Sequence, residues 1–372
     1  MSLDVLSLTR ELVAVDTIGH GESDALAVVA PRLENAGFTV EIIEHEPGRG
    51  TLVADWHTGL DTPPLCLSGH VDTVPLGGAP WQHDPFRAEP DGDRLYGRGT
   101  SDMKGGVAAI VAAASKLAAT RPRRAGLRLV LTAAEETGSA GARAAADRLR
   151  GRPAGPLVIT EPTGNAVLHG HKGALWLSAL AGGVTAHGSM PHLGDNAVYK
   201  LARAVGRLET YAFDAEPHAV MGAPTLNVGT FHGGLNTNSV PDSAEATIDI
   251  RTVAGQDHGS VLASLAERVG DEVRLSPLVD LPPVWTDPAD EWAASVAEIA
   301  REITGSQDSE PRAASYFTDA SVLTPALGGV PTVICGPGEA EQAHVTDEWV
   351  SLRKLAESVA ILERVCVAWC GL

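Results

Sequence analysis

The sequence predicts an α/β chain: a discontinuous α/β domain on a mostly parallel sheet, with a smaller β-α-β-β-α-β domain inserted into it. Three observations carry this reading. Apolar runs at 65–67, 127–131 and 157–159 are continuous rather than alternating, as strands buried on both faces require. Helical patterns lie around and between them. Near residue 173 the rhythm changes to amphipathic helices and alternating strands, and Pro282-Pro283 marks the return.

Each element has a local reason. Val5, Leu8, Leu12 and Val13 recur at helical spacing over 3–15. A second helix over 25–36 stops before Gly37, and an Ala-rich helix spans 107–119 between two of the apolar runs. In the insertion a strand covers 174–180. Val198, Leu201, Val205 and Leu208 then share one face of a helix over 195–209. Strands at 225–231 and 244–252 flank the turn region 233–238. A helix at 260–269 and a strand at 272–279 complete the unit. Helices at 291–304 and 351–366, with a strand at 330–334, rebuild the outer domain. The expected boundaries are 1–172 and 285–372 for the outer domain and 173–284 for the insertion.

The chain has 372 residues, 44% apolar and 20% charged, a globular balance with length for one large or two moderate domains. Lys+Arg 28 against Asp+Glu 47 leaves −19. Phosphate backbones and anionic membrane surfaces would repel such a chain, so neither nucleic acid nor membrane is an expected partner. The first residues hold no signal-peptide core, and the stretch 107–119, broken by Ser115 and Lys116, is too short to span a bilayer. Cys66, Cys335, Cys366 and Cys370 are sparse and form no CxxC pair, which fits a reduced, cytoplasmic setting and argues against a thiolate zinc site.

Acids and imidazoles fall at the ends of the expected strands. His70-Val71-Asp72 follows the run at 65–67. Asp102 sits just before the Ala-rich helix, in GRGTSDMKGG (97–106). Glu135-Glu136 follows the run at 127–131, Glu161 the run at 157–159, and His344 the strand at 330–334. Ligands of open α/β sheets sit outside the carboxyl ends of the strands. Two histidines and several carboxylates without cysteine suit a divalent, hydrolytic site. Residues i and i+2 of an extended segment point the same way, so Asp72 can hold the far ring nitrogen of His70. Of the adjacent Glu135 and Glu136, one can bind metal while the other faces the substrate water as a base. Arg251 falls on the polar face of its alternating strand, with Thr247 and Asp249. That face is either solvated or a fork for a substrate carboxylate.

The segments GHVDTVP (69–75), YGRGTSDMKGG (96–106), EETG (135–138), TEPT (160–163), AHGSMPH (186–192) and QAH (342–344) resemble the M20 metallopeptidase family over nearly the whole chain. The family includes acetylornithine deacetylase, succinyl-diaminopimelate desuccinylase, aminoacylase-1 and the glutamate carboxypeptidases. The resemblance implies two divalent ions, zinc first, with cobalt or manganese as alternatives. His70, Glu161 and a bridging Asp102 would hold one; Glu136, His344 and the same Asp102 would hold the other. Asp72 would orient His70, and Glu135 would be the general base. A cis peptide would follow Asp102. His187 would reach the partner subunit's site, and Asn238, Arg251 and Thr318 would contact substrate. The inserted domain would be a ferredoxin-like lid and dimerisation domain, making the protein a homodimer.

The implied reaction is hydrolysis of an amide in an N-acyl amino acid or short peptide. The segments EETGSAGA, HKG (171–173), FTDASVL (317–323) and GPGEAEQAH (336–344) look closer to acetylornithine deacetylase. A strict desuccinylase carries a Gly-rich loop where residues 312–318 stand. The alternatives are a dipeptidase or carboxypeptidase of the family, a desuccinylase, and a silent scaffolding homologue. Glu135 and every expected ligand are present, which disfavours the last.

Overall fold

A continuous apolar run has no polar face to turn toward water, so it belongs inside a sheet covered on both sides. In the computed structural model, which describes residues 4–372, the runs lie there. The first helix begins at Val5, capped by Asp4 through Leu6 N and Ser7 N; residue 3 of the expected helix lies outside the described residues. The chain proceeds through α1 (Val5–Val13), α2 (Glu22–Asn35), β1 (Thr39–Glu46), β2 (Arg49–Trp56), β3 (Leu65–His70), α3 (Gly105–Leu117), β4 (Leu127–Thr132), α4 (Ala140–Leu149) and β5 (Leu157–Ile159). Then come β6 (Gly173–Gly182), α5 (Ala197–Leu208), β7 (Thr225–Gly233), β8 (Ser243–Thr252), α6 (His258–Val269) and β9 (Val273–Leu281). The return brings α7 (Glu291–Thr304), α8 (Ala320–Ala326), β10 (Thr332–Ile334) and α9 (Leu352–Cys370).

The chain divides into two compact units. The first comprises Met1–Gly170, Trp285–Arg312 and Thr318–Leu372; the second, His171–Val284 and Ala313–Phe317. The last stretch corrects the expected boundaries, which left it in the outer domain. One residue of it ties in: Ala314 bridges His171 in parallel and accepts from Lys172 N at 2.9 Å. Five irregular residues offer a periodicity count nothing to detect.

In the first unit the sheet order is β1-β2-β4-β3-β5-β10. The four strands from β4 to β10 run parallel. The β1–β2 hairpin adds an antiparallel edge, β2 pairing with β4. The sequence reading missed this hairpin, because β1 (TVEIIEHE) mixes charges into its pattern as an edge strand does. α3 is buried from Gly105 through Ala114 and packs against β3 and α9 within one core. The start of α3 approaches β5 closely. A Cβ on Gly106 would lie 2.3 Å from the Thr160 carbonyl oxygen, and one on Gly336 only 2.1 Å from the same atom. The strand end carrying Glu161 is therefore gripped from two sides by glycines.

The second unit is a four-stranded antiparallel sheet, β7-β8-β6-β9, with α5 and α6 packed on it. Ala244, Ala246, Ile248 and Ile250 of β8 alternate inward. Leu201 and Leu208 of α5 and Val261, Leu265 and Val269 of α6 meet them in a core of their own. Among the described residues no helix is long and apolar enough to cross a membrane. All four cysteines are free and buried.

Two glycines test the packing in opposite directions. Gly106→Ala forces a Cβ into backbone and should cost about 1–3 kcal/mol or more in urea unfolding. Gly206, exposed within α5, has nothing within 4 Å of an added Cβ, and Gly206→Ala should stabilise by about 0.5–1 kcal/mol. Equal melting behaviour of the two variants would contradict the close approach at Thr160.

Candidate metal centre

β3, β4, β5 and the segment after β10 end at the same edge of the first unit's sheet, and each delivers an acid or an imidazole there. β3 ends in His70, which is 1% exposed. Its Nε2 lies 3.2 Å from Asp102 Oδ1 and 3.8 Å from Glu161 Oε2. His344 approaches from the other side: its Nε2 is 3.0 Å from Glu136 Oε2 and 3.4 Å from Asp102 Oδ2. One oxygen of Asp102 thus faces each imidazole. Single donor atoms of His70, Asp102 and Glu136 all lie within 4.8 Å of one another.

Local backbone aims these groups. Ala134 turns left-handed (φ +56°) as β4 ends, so Glu135 and Glu136 leave the strand on a bent path. The Asp72 carboxylate accepts from both their amides, Glu135 N at 3.2 Å and Glu136 N at 3.1 Å. This adds to the expected role of Asp72. His70 Nδ1 meets the backbone carbonyl of Asp72 at 3.0 Å, while Asp72 Oδ1 stands off at 3.5 Å. The carboxylate chiefly ties the end of β3 to the end of β4. His344 is itself left-handed (φ +64°) and exposed. The Asp102–Met103 peptide is cis.

The electrostatics follow from crowding. Burial pushes the Glu135 and Glu161 carboxyls well above the usual carboxylate range, and burial also raises Glu136. Burial would raise Asp102 too, but hydrogen bonds to His344 and His70 hold it below the usual range. Burial disfavours charge on His70, yet Glu161, Asp102 and Asp72 together raise it well above its ordinary value. Hydrogen bonds to Asp102 and Glu136 raise His344 to about 10. Five carboxylates (Asp72, Asp102, Glu135, Glu136 and Glu161) thus face two imidazoles that cling to their protons. An excess of buried negative charge held by oxygen and nitrogen donors alone is the chemistry of a divalent-cation site. The residues fit such ions.

The other expected residues lie as follows. Thr318, in this unit, is fully buried, and its Oγ1 accepts from Ala320 N at 3.1 Å at the start of α8. That bond spans two residues on the approach to α8, whose N-cap is Asp319. In the second unit, His187 is exposed, with Nδ1 2.7 Å from Ser189 Oγ. His187 bridges Ser239, and Gly188 N donates to Asn238 O at 2.7 Å, so exposed Asn238 and His187 sit on adjoining backbone. Arg251 is not a free fork: Nε reaches Asp249 Oδ1 at 2.9 Å, NH2 reaches Oδ2 at 3.2 Å, and the guanidinium lies 5.9 Å from the Trp176 ring. Sequence reasoning missed Asp319, which is 2% exposed, accepts from Thr132 Oγ1 and is raised to about 6 by burial. Its place in FTDASVL was the available signal. Glu348, four residues past His344, was missed as well.

The match to known proteins agrees with this geometry. Residues 66–368 match the model of peptidase family M20/M25/M40. The chain is 30% identical to an acetylornithine deacetylase of Klebsiella pneumoniae (strain 342), over 98% of this chain and 97% of that one. It is 32% identical to a Staphylococcus epidermidis (strain ATCC 12228 / FDA PCI 1200) protein named "Probable succinyl-diaminopimelate desuccinylase", over 93% of each. Among solved structures it resembles an M20 family metallo-carboxypeptidase, Sso-CP2, of Sulfolobus solfataricus, with TM-score 0.79, 19% identity, and coverage of 99% of this chain and 100% of that one. A dinuclear metal-binding M20 peptidase of Bacillus subtilis has the same fold, with TM-score 0.73, 15% identity, and coverage of 99% and 98%. The chain belongs to the M20/M25/M40 peptidase family and is a metal-dependent hydrolase.

Proposed function

We propose that this chain hydrolyses the amide bond of an N-acyl amino acid, releasing a carboxylate and a free amine. The observation that carries the proposal is Asp102, with one oxygen toward His70 and the other toward His344. His70, Glu161 and Asp102 would hold one divalent ion, and Glu136, His344 and Asp102 the other, zinc suiting a set of carboxylates and imidazoles. Such a pair supplies a Lewis acid for the amide carbonyl and acidifies water near neutral pH.

The chain's own groups do the rest. Glu135 is 5% exposed and is not one of the residues assigned to an ion, which leaves it as the base in a dry setting. It takes a proton from the attacking water and returns it to the leaving amine nitrogen. Asp72 holds Glu135 in place through the backbone amide. His187, on an exposed loop, would stabilise the developing oxyanion of a second copy's substrate. Asn238 stands beside it. For Arg251 to take a substrate carboxylate, it would have to exchange Asp249 for it. A homodimer through the inserted unit is supported by its exposed apolar side chains: Tyr199 at 66%, Phe231 at 40% and Leu235 at 94%. The deacylase reading leads because the chain is 30% identical to an acetylornithine deacetylase over 98% of its length. The 32% identity to the Staphylococcus protein keeps an N-succinyl substrate as the second reading.

The direct test is mass-spectrometric detection of amine release by zinc-supplemented protein from N-acetyl, N-succinyl and N-formyl amino acids and from dipeptides. Release from the N-acetyl series is expected. Silence across the panel with two metals bound would refute the proposal. Glu135→Ala should lower kcat by about 10²–10⁴-fold with metal still bound; near-normal turnover would remove Glu135 as the base.

The pH dependence has a definite sign. A proton on His344, held up to about pH 10, stabilises the metal-free fold below its ordinary value of 6.5 and is lost as pH rises through 10. A cation must displace that proton, so zinc affinity should rise with pH up to about 10. Titration calorimetry in two buffers of different ionisation enthalpy at neutral pH should register net proton release. Binding without it would mean that His344 is not a ligand.

A further inference from the structure

Glu348 is a fully buried carboxylate that no catalytic step above uses. Oε2 accepts from Arg98 NH1 at 2.8 Å and from Gly99 N at 2.8 Å. Oε1 accepts from Ser101 N at 2.8 Å and from Asp102 N at 3.0 Å. Four N–H donors meet this group, an arrangement that matches the lone pairs of a carboxylate's two oxygens. Arg98 is itself 2% exposed, and a buried guanidinium without its acid would be costly.

The same neighbourhood is tied a second time. Gly97 N donates to the Glu348 backbone carbonyl at 2.8 Å. Ser101 Oγ donates to Trp349 O at 2.8 Å and accepts from Glu339 N at 3.2 Å. Gly338 lies so close that a Cβ would sit 2.2 Å from Ser101 O. The loop carrying Asp102 and the loop carrying His344 therefore form one block, with the Glu348 carboxylate at its centre. Residues 97–102 reach α3 only through a short turn, Thr100–Lys104, whose backbone leaves helical geometry at Asp102 (φ −121°), and Gly99 turns left-handed (φ +82°). Without an internal acceptor, three consecutive-turn amides (Gly99, Ser101 and Asp102) would have no buried partner.

We infer that Glu348 is a positioning residue for the metal centre: by accepting these four hydrogen bonds it fixes the backbone under Asp102, so that the two Asp102 oxygens face His70 and His344 at once. This rests on the reading above that Asp102 is shared by two cations. Glu348 touches neither cation nor substrate; its effect passes through Asp102. Partners one bond removed from a ligand commonly set metal affinity by about 10–100-fold.

The test is Glu348→Gln, which keeps the shape but turns an NH₂ group toward two of the four donors. Zinc affinity by competition with a chelating dye should weaken by about 10–100-fold at the weaker site. The absorption spectrum of the cobalt-loaded variant should shift, and kcat for the N-acetyl substrate should fall more than KM changes. Glu348→Asp, which restores the charge one methylene short, should recover part of the lost affinity, and it carries the test alone if Glu348→Gln does not fold. Wild-type zinc affinity and an unchanged cobalt spectrum would overturn the inference even if the melting temperature drops. Wild-type protein that binds fewer than two ions would instead sink the shared-cation reading, and this inference with it.

Discussion

Burying five carboxylates within reach of one another costs free energy that no amount of good packing removes. Asp72, Asp102, Glu135, Glu136 and Glu161 are all inside the first unit, and His70 and His344 stand among them. The consequence shows in both directions. The glutamates are driven to keep protons, and the imidazoles are driven to hold theirs far above ordinary values. Divalent cations relieve both at once. The protein tolerates this concentration of charge because its fold is rigid enough to hold the acids apart from water and ready for ions.

That rigidity comes from backbone meeting backbone. The parallel strands bring their carboxyl ends to one edge, but their side chains converge only because the intervening segments approach closely. Gly106 and Gly336 both press on the Thr160 carbonyl, and Gly338 presses on Ser101. Asp72 joins the ends of β3 and β4 through two amides, and Glu348 joins the Asp102 and His344 segments through four donors. Asp72 and Glu348, which are not candidate ligands, are thus struts for residues that are.

The second unit obeys simpler rules. Its strands alternate, its helices present one apolar face, and its core closes on itself. What it leaves outside is informative. His187 and Asn238 share adjoining exposed backbone, and β7 remains an unpaired edge with Phe231 beside it. A surface of that kind suits contact with another chain better than it suits isolation.

Periodicity and residue type alone determined the fold class, the switch of pattern near residue 173, helix 291–304, and the convergence of acids on strand ends. These are legible because burial on one or two faces imposes a period on the sequence, and because metal-binding side chains are rare in apolar surroundings. Element starts were less legible: α2 begins at Glu22, not 25, and the β1–β2 hairpin hid behind charged edge positions. Ala313–Phe317 joining the second unit and Glu348 under Asp102 were decided only by the tertiary structure. Each depends on a partner brought in by the fold rather than on a local pattern. A side chain's neighbours across the chain leave no period, so one-dimensional reading can nominate ligands but not what holds them still.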